Sequence, residues 1–410
     1  MKQKAVHAIV KYFYPVAAGI ETNMLETYRH MVAAGWSVIV HTSTNTLTEN
    51  AVLQKSEIVK GICVRRYAWK LFGFWPQIDW DRTDVVALHN FNIVPHTTIL
   101  LYALVRRLLG KKKVIVMLTP HGGFNPDWQV FSPVVALIKR LYHYTVGTLL
   151  INTAVDVVRA VSSWEAKEMN DHGVQKERIA TIPNGMEDEA YVDVDKKASA
   201  EINDTAKSYG TYMIQIGRIY GIKNYETVVK ALTELPNDLN FVIVGPVGSI
   251  AYFESLKALI LKLGLRDRVF FAGVVRGVDK YYLIKHAALM VHMARWESFC
   301  NAVHEGMSQG LPCVVANNTA LPLLIKNGVN GFCVNTFDVA TLVSKIRFIL
   351  ERNNAKAVQA MRAANIKYGL SNSWKNVSKG VATVLSRQIR VSETHIVKKV
   401  SNIFPVPSVS

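Results

Sequence analysis

Short apolar runs alternate with longer amphipathic stretches along the whole chain. In the first half, the short runs predict strands at Ala5–Phe13, Ser37–Thr42, Val85–His89, Val114–Leu118, Arg159–Val161 and Ala180–Ile182. The longer stretches between them predict helices at Thr22–Ala34, Thr97–Leu109 and Pro133–Ile151. Val- and Ile-rich strands that are separated by helices indicate a parallel sheet with both faces covered.

The same pattern starts again after a polar stretch, Asp195–Tyr209, which we predict to be an interdomain linker. The strands predicted beyond it are Tyr212–Ile216, Asn240–Val244, Val269–Ala272, Leu289–Met293 and Cys313–Ala316. The helices predicted beyond it are Asn224–Leu235, Tyr252–Lys262, Val278–His286, Asn301–Gln309, Val339–Arg352 and Lys356–Tyr368. The chain is therefore predicted to be an α/β protein with two doubly wound, Rossmann-like domains, residues 1–190 and 191–372, that face a central cleft.

The C-terminal part of the chain is predicted to contain one more amphipathic helix, Ser373–Gln388, in a segment that spans residues 373–390. Residues 391–410 include Pro405 and Pro407 and few core signals, so they are predicted to form a mobile tail.

Charge narrows the classes of partner. The chain of 410 residues has 48 Lys and Arg against 31 Asp and Glu, a net charge of +17. Such an excess favours an anionic partner, either nucleotide phosphates, anionic lipid or nucleic acid, but a solvated basic face on a soluble enzyme explains it as well. No RNA- or DNA-binding motif accompanies the charge, so no nucleic-acid partner is expected.

Cysteine spacing and hydropathy indicate a cytoplasmic protein. No pair of the four cysteines is two or three residues apart, which argues against a zinc site, and four cysteines do not suggest a disulfide scaffold. Lys11 interrupts the first apolar run, and no signal-peptide cleavage site follows it. The longest apolar stretch, Val130–Val158, is broken by Lys139, Arg140 and His143, so no membrane span is predicted.

Two carboxylates with seven residues between them, Glu297 and Glu305, are the strongest chemical feature. Glu297 is predicted to lie in the loop after a strand, where it can hold sugar hydroxyls. Glu305 is predicted one turn inside the next helix, where it can accept hydrogen bonds from a ribose. The N–H groups of Cys300 and Asn301 at the helix start suit a diphosphate. Alternatively, both acids simply lie near a helix start because its dipole favours them.

Three shorter motifs also follow predicted strands. Arg218 and Lys223, in the loop Gly217–Asn224, can neutralise a diphosphate, although surface solvation is the usual role of such residues. Gly19 allows close backbone approach at a helix start, or else forms an ordinary turn. His121, followed by two glycines, can offer its imidazole to a ligand, although a single histidine is more often structural.

Taken together, the motifs and their order resemble retaining family 4 of the GT-B glycosyltransferases (glycosyl transferases group 1), from Ala5 to Gln388. The matching pieces are Gly19–Glu21, the His121 loop, Ile182–Gly185, Gly217-Arg218 with Lys223, Phe241–Gly245, Glu297 with Glu305, Gly310–Pro312, Gly328–Gly331 and Ser373-Trp374. The resemblance implies a hexosyltransferase that retains anomeric configuration. Its donor would be a UDP-, GDP- or ADP-sugar, and its acceptor a glycan, a glycolipid or a small molecule.

The resemblance also implies roles for individual residues. The N–H of Gly19 would bind the donor diphosphate, and His121 would contact the transferred sugar. Arg218 and Lys223 would bind the diphosphate as well. Glu297 would contact sugar hydroxyls, and Glu305 the ribose. Beyond the nucleotide sugar, no cofactor or metal is expected, because no His/Cys cluster has ligand spacing and the two Asp-x-Asp triplets, Asp79–Asp81 and Asp193–Asp195, do not follow clear strands.

Several positions depart from the family pattern and leave donor specificity open. Ala17-Ala18-Gly19 replaces a glycine pair, Cys300 stands where Gly is frequent, Gly306 where Ala is common, and Leu323 where Glu is frequent. The alternative functions are a GT-B sugar-nucleotide epimerase, a phosphorolytic enzyme and a catalytically silent binding protein. An oxidoreductase or a P-loop NTPase is excluded because the chain lacks their glycine motifs.

Two apolar helices of the first domain carry basic residues. Thr97–Leu109 is followed by Lys111–Lys113, and Pro133–Ile151 contains Lys139 and Arg140. Such segments suit an anionic lipid interface, which predicts a peripheral protein on the inner face of the cell membrane with a lipid-linked acceptor. Alternatively, the helices only cover the sheet, and the lysines end a helix in water.

Overall fold

The computed structural model describes residues 3–16, 19–45, 53–70 and 73–403. The chain forms two compact units. The first runs to Pro183 and also contains the chain from Trp374 onward, and the second is Asn184–Ser373. The first boundary therefore lies seven residues before residue 190, the predicted end of the first domain.

In the described residues of the first unit, the strands form one eight-stranded sheet in the order β3-β4-β2-β1-β5-β6-β7-β8. They are β1 Ala5–Ile9, β2 Ser37–Ser43, β3 Ser56–Val59, β4 Ile62–Tyr67, β5 Val85–His89, β6 Ile115–Thr119, β7 Val157–Ala160 and β8 Ile179–Thr181. All neighbouring strands are parallel except β3 and β4, which are antiparallel. The helices are α1 Gly19–Ala33, α2 His96–Leu108, α3 Pro133–Tyr142, α4 Thr148–Ala154, α5 Ser163–Asp171 and α15 Trp374–Ile403.

The second unit has a six-stranded, all-parallel sheet in the order β11-β10-β9-β12-β13-β14. Its strands are β9 Thr211–Ile216, β10 Leu239–Val244, β11 Val269–Gly273, β12 Leu289–His292, β13 Cys313–Ala316 and β14 Gly331–Val334. Its helices are α6 Val194–Lys197, α7 Ala200–Ser208, α8 Tyr225–Leu232, α9 Ile250–Lys262, α10 Gly277–His286, α11 Asn301–Ser308, α12 Leu321–Leu324, α13 Val339–Leu350 and α14 Ala355–Gly369.

Central strands are buried on both faces in each unit. All residues of β5, β6, β12 and β13 are buried. Their largely apolar sequences predicted such burial, because parallel strands are covered on both faces. Helices cover these faces, so the carboxyl ends of the strands and the loops that follow them remain to build a site.

The polar stretch Asp195–Tyr209 is not the interdomain linker that the sequence predicted. It forms most of α6 and α7, and both helices pack against α10 within the second unit. The helix α7 buries only Ile202 and Ala206, and its other side chains are largely polar or charged. For this reason its sequence resembles a polar linker. The chain passes from the first unit to the second between Pro183 and Asn184.

The C-terminal helix is longer than predicted. Instead of ending near residue 388, α15 continues to Ile403, so part of the predicted mobile tail is helical, and residues 404–410 lie outside the described residues. The helix returns to the first unit and packs against α1, where Trp374, Val381 and Leu385 are buried. Burial of these side chains explains why a sequence of modest apolar content holds a long helix.

The segment Pro133–Ala154 differs from the prediction in two respects. It is interrupted by a turn of π-helix, His143–Gly147, between α3 and α4. By length and composition alone, its 22 residues suffice to cross a membrane, although the sequence analysis excluded a span, and 28% of its most apolar window is buried. One such helix is weak evidence for a span, because a buried core helix of a soluble protein meets the same criteria.

Candidate functional site

Glu297 lies in a buried ionic network at the carboxyl edge of the second sheet. Its Oε1 atom is 2.5 Å from Nζ of Lys223, in the loop after β9, and 2.8 Å from Nε2 of His292, the last residue of β12. The backbone N–H of Glu297 donates to Oγ1 of Thr319 at 3.0 Å. The carboxyl ends of the paired strands β9 and β12 therefore bring these groups together.

This network keeps Glu297 ionised. Burial by itself would raise the pKa of Glu297, but the Lys223 ammonium and the hydrogen bond from His292 outweigh it and lower the pKa to about 2. Burial lowers the pKa of His292, and Glu297 opposes that shift. The site thus holds a fixed negative charge with a lysine cation against it.

The loop that carries Lys223 is held by backbone contacts. Asn224 adopts a left-handed conformation at the start of α8, and its Nδ2 group donates to the carbonyls of Met293 and Thr336, each at 2.9 Å. Gly245 after β10 has no room for a side chain, because a Cβ there would lie 2.2 Å from the carbonyl oxygen of Gly217. These contacts fix the loop against two neighbouring strands, so Lys223 is placed by the scaffold.

Arg218, in the same loop, is exposed and forms no ion pair with any described residue. Its guanidinium can therefore chelate phosphate oxygens without first breaking an internal pair. Lys223 differs in this respect, because its ammonium already pairs with Glu297.

The start of α11 is strained. Cys300, which precedes the helix, is buried and has φ 77° and ψ 78°, a left-handed conformation that costs a non-glycine residue about 1–2 kcal/mol. A glycine would adopt the same conformation without this cost. Oδ1 of Asn301 accepts a hydrogen bond from Nδ2 of Asn184 at 2.7 Å.

Glu305 forms a buried triad with Lys280 and Glu187, neither of which was predicted as a site residue. Nζ of Lys280, on α10, lies 3.1 Å from Oε1 of Glu305 and 2.7 Å from Oε2 of Glu187. Burial raises the pKa of Glu305, and the Lys280 ammonium opposes that shift. Oε2 of Glu305 has no hydrogen-bond partner among the described residues, so this oxygen can still accept a ligand hydroxyl.

Three side chains of the kind that bind metals lie together here, which their spacing in the sequence did not indicate. Ligand atoms of His292, Glu297 and Cys300 are within 4.8 Å of one another. However, the Lys223 ammonium contacts the same Glu297 oxygen, and burial holds the pKa of the Cys300 thiol well above its ordinary value. A protonated thiol and an adjacent cation make this cluster a poor cation site.

In the first unit, His121 follows β6 and has a positive φ of 51°. Its Nε2 atom is 3.0 Å from Nδ1 of His89, the last residue of β5, and Nε2 of His89 is 2.6 Å from the hydroxyl of Tyr28 on α1. Burial lowers the pKa of His121 to about 3, assisted by the nearby charge of Arg159. The imidazole of His121 is therefore neutral at physiological pH.

The loop after His121 is fixed by a buried carboxylate. Glu165, on α5, accepts hydrogen bonds from the backbone N–H groups of Gly122 and Val161. Burial raises the pKa of Glu165 to about 7, against the effect of these two donors. Gly19 begins α1, as expected for a residue that offers its N–H at a helix start. The adjacent departures at Ala17 and Ala18 lie outside the described residues.

Some of the missed residues had a signal in the sequence. His89 ends a predicted strand, His292 is the last residue but one of another, and His121 follows a third, and parallel strands end at one edge of their sheet. Lys280 and Glu187 had no such signal, because a lysine inside an amphipathic helix usually faces water.

Two family models match the chain. The model of Glycosyltransferase Family 4 matches residues 17–190, and that of Glycosyl transferases group 1 matches residues 199–368. The two matches fall on successive parts of the chain, in the order that the motifs predicted.

Individual proteins resemble the chain over most of its length. The GDP-mannose:cellobiosyl-diphosphopolyprenol alpha-mannosyltransferase of Xanthomonas campestris is 24% identical over 91% of this chain and 94% of its own length. A D-inositol 3-phosphate glycosyltransferase of Mycobacterium sp. (strain KMS) is 27% identical over 55% of this chain and 48% of its own. The structure of Anabaena HepE in complex with UDP and glucose superposes with a TM-score of 0.72 at 18% identity, covering 94% of this chain and 100% of that one.

These matches confirm the predicted fold class of two parallel-sheet α/β domains and the predicted enzyme class. The chain belongs to the family 4 glycosyltransferases (glycosyl transferases group 1) and is a glycosyltransferase with the GT-B fold.

Proposed function

We propose that this glycosyltransferase takes a hexosyl group from a nucleoside diphosphate sugar and transfers it, with retention of configuration, to a lipid-linked glycan. The observation that carries the donor assignment lies in the second unit. An exposed guanidinium that forms no ion pair with a described residue, Arg218, is in the same scaffolded loop as Lys223, which pairs with Glu297 of the loop after β12. A diphosphate needs such a fixed cation, and the hydroxyls of a sugar need a fixed carboxylate.

The proposed roles follow from the state of each group. Arg218 and Lys223 stabilise the charge that develops on the departing diphosphate, together with the N–H groups of Cys300 and Asn301 at the start of α11. Glu297 is ionised and accepts hydrogen bonds from sugar hydroxyls, and Glu305 accepts from the ribose through Oε2. In the first unit, the family resemblance assigns His121 to a hydroxyl of the donor sugar and the N–H of Gly19 to the diphosphate. A phosphate oxygen of the leaving group takes the acceptor proton, so no carboxylate nucleophile is required.

We also propose that transfer needs no metal ion. The positive charge that a divalent cation gives to a leaving diphosphate is supplied by Arg218 and Lys223. Dialysis against EDTA should leave the turnover of a nucleotide sugar unchanged, and added manganese should not increase it. Loss of activity on chelation, with recovery on addition of manganese, contradicts this proposal.

The proposed acceptor class rests on an exposed apolar surface of the first unit. Nine apolar side chains of α2, α3, α4 and the residue after α2 are between 48% and 86% exposed: Leu101, Val105, Leu108, Leu109, Val134, Leu137, Ile138, Leu141 and Leu149. We call these residues the apolar surface. The helices α2 and α4 pack side by side, and Arg107 of α2 donates to the carbonyl of Thr153 in α4 at 3.2 Å. An apolar area of this kind on a soluble unit indicates a partner or a lipid surface.

Basic residues near this surface favour anionic lipid as the partner. Lys139 and Arg140 lie on α3 and stack on Phe131 and Trp128, each 5.1 Å from the ring centroid. Lys111 forms no ion pair with a described residue.

The other two lysines of the basic run are paired, Lys112 with Asp84 and Lys113 with Asp156, each at 3.0 Å. The electrostatic attraction to anionic lipid is therefore expected mainly from Lys111, Lys139 and Arg140. We propose a peripheral position on the cytoplasmic face of the membrane, where a lipid-linked acceptor is available. The Xanthomonas relative, whose acceptor by name carries a diphosphopolyprenol, supports this class.

A transfer assay tests the proposal. The protein is incubated with UDP-, GDP- and ADP-hexoses and a diphosphoprenol-linked glycan, and the products are separated by chromatography, identified by mass spectrometry and assigned an anomeric configuration by proton NMR. Hexose attached to the lipid-linked glycan with the anomeric configuration of the donor is the expected result. A free epimerised sugar would indicate the epimerase alternative. A sugar phosphate formed from the glycan and inorganic phosphate would indicate the phosphorolytic one. Nucleotide binding without any product would indicate a silent binding protein.

A further inference from the structure

Tyr28, His89 and His121 form a line of hydrogen bonds inside the first unit. The Tyr28 hydroxyl is 2.6 Å from Nε2 of His89, and Nδ1 of His89 is 3.0 Å from Nε2 of His121. Tyr28 and His89 are fully buried, at 0% and 1% exposure, whereas His121 is partly exposed. The line therefore begins in the core and ends at a ring that a ligand can reach.

The number of protons along this line is fixed. Burial, together with the charges of the neighbouring His121 and Arg159, holds the pKa of His89 well below its ordinary value. Burial and the charge of Arg159 lower the pKa of His121 to about 3, and burial raises the pKa of the Tyr28 phenol. Each imidazole thus carries one proton and the phenol carries one, so each ring has one donor and one acceptor nitrogen.

The buried phenol decides the direction of the hydrogen bonds. Among the described residues, Nε2 of His89 is the hydrogen-bond partner of the Tyr28 hydroxyl. If His89 donated to Tyr28, the phenol proton would be buried without an acceptor. The cost of such an orphaned group disfavours this arrangement by about 5- to 150-fold. Tyr28 therefore donates to Nε2 of His89.

The rest follows by proton counting. Since Nε2 of His89 accepts, its single proton is on Nδ1, which donates to Nε2 of His121. Nε2 of His121 is then an acceptor, and its proton is on Nδ1. That nitrogen has no hydrogen-bond partner among the described residues.

We propose that Tyr28 and His89 are positioning residues that fix His121 in the Nδ1–H tautomer, so that His121 presents a hydrogen-bond donor to the oxygen of a sugar hydroxyl. The identity of that hydroxyl as part of the donor sugar rests on the proposed function. In this tautomer His121 binds and orients an oxygen, and it does not take a proton from the acceptor. The scaffold strengthens the effect, because Glu165 holds the adjacent Gly122 N–H.

Nitrogen NMR of the intact protein tests the tautomer. With ¹⁵N-histidine labelling, long-range proton–nitrogen correlations distinguish protonated from unprotonated ring nitrogens, and His121→Gln assigns the His121 signals. We expect Nδ1 protonated and Nε2 unprotonated in both His121 and His89, with Nδ1–H of His89 donating to Nε2 of His121. A proton on Nε2 of His121, or a doubly protonated ring at pH 7, overturns the proposal.

Tyr28→Phe tests the cause. Without the phenol, Nε2 of His89 has no partner, whichever way the hydrogen bond between His89 and His121 runs. The two directions then have similar energies, so we expect His121 to show exchange-averaged shifts from two tautomers. The kcat/KM for the nucleotide sugar should fall by about 2- to 12-fold, the usual effect of one neutral hydrogen bond. A single unchanged Nδ1–H tautomer in Tyr28→Phe shows that Tyr28 does not set it and overturns the proposal.

Tyr212→Phe is the matched control, because it removes another buried phenol, which donates to the carbonyl of Leu283 in the second unit at 2.7 Å. It should leave the His121 shifts and kcat/KM unchanged. If Tyr28→Phe does not fold, the wild-type spectrum alone decides the tautomer. Because the shifts are measured without substrate, a protein with the expected tautomer but without transferase activity would fail only the proposed function.

Discussion

The ammonium group of Lys280 lies 3.1 Å from Oε1 of Glu305, the carboxylate that we assign to the donor ribose. This cation holds down the pKa of a buried carboxylate that burial raises and that Glu187 raises further. Lys280 is therefore a positioning residue: it keeps the Glu305 carboxylate charged and in place, and Glu305 in turn binds the ribose.

Lys280→Met should weaken the binding of the donor nucleotide, because the pKa of Glu305 rises when the cation is lost and its ionised fraction falls. We expect a loss of about 1.5–3 kcal/mol near pH 7 that becomes smaller as the pH is raised. Calorimetric titration with the nucleoside diphosphate between pH 6 and 9 measures it. Lys285→Met is the control on the same helix, because Lys285 forms an exposed pair with Asp195 and should change binding little. Equal effects of both variants at every pH would contradict this role of Lys280.

Arg218→Ala should weaken binding only for ligands that carry the diphosphate. Losing a charged hydrogen-bonding partner costs about 1.5–3 kcal/mol, and none of that loss should appear with the free nucleoside. Comparing the affinities for nucleoside and nucleoside diphosphate isolates the phosphate contribution. Arg352→Ala, an exposed arginine after α13, should leave both affinities unchanged. An equal loss for the nucleoside would show that Arg218 acts elsewhere.

Glu305→Ala should show the opposite selectivity. Since Glu305 is assigned to the ribose, its loss should weaken the binding of nucleoside and nucleoside diphosphate alike, by about 1.5–3 kcal/mol. It should also reduce the discrimination against a 2′,3′-dideoxy nucleotide, which has no ribose hydroxyls to offer. Retention of that discrimination in Glu305→Ala would contradict the ribose assignment.

The stability of the protein should depend on Glu297 at acidic pH. The folded pKa is about 2, below the ordinary value of 4.5, so the carboxylate stabilises the folded state above about pH 4.5 and loses this effect as the pH falls toward 2. The shift corresponds to about 3 kcal/mol. Urea unfolding should show a constant gap between wild type and Glu297→Gln above pH 5, which shrinks below it. Glu201→Gln, an exposed control, should show no such change. A gap that stays constant down to pH 3 would argue against the ionic network.

Binding to anionic vesicles should depend both on the apolar surface and on the basic residues near it. The fraction of protein that floats with phosphatidylglycerol vesicles should fall when Lys139 and Arg140 are changed to Ser, since each basic residue contributes about 1 kcal/mol to binding. Added salt should weaken the binding of the wild-type protein as well, because it screens the same charges. Leu137→Ser with Leu141→Ser should also reduce binding, but without changing the salt dependence.

The control pair for flotation is Leu261→Ser with Lys262→Ser, an exposed leucine and a lysine on α9 of the second unit, which should bind vesicles as the wild type does. Wild-type protein that does not float at low salt would exclude the lipid surface.

Many of the strands were predictable because apolar side chains at successive positions indicate a strand that is buried on both faces. Val85–His89 and Cys313–Ala316 agree residue for residue with β5 and β13, since a parallel strand that is buried on both faces is apolar at nearly every position. The strands β3, β4 and β14 were missed. In β3, at the edge of the sheet, and in its neighbour β4, charged residues such as Glu57 and Arg65 interrupt the apolar run. The strand β14 is only four residues long and lies at the opposite edge.

The sequence by itself determined the family, the repeated α/β pattern and the approximate positions of Arg218, Lys223, Glu297 and Glu305, because these depend on local motifs and their order along the chain. It could not determine the partners of those residues. The tertiary structure decided that Lys280 faces Glu305, that His292 and Lys223 share one oxygen of Glu297, and that Tyr28 and His89 stand behind His121. Each of these contacts joins residues on different elements, and only the packing of the sheets and helices brings such residues within a hydrogen bond of each other.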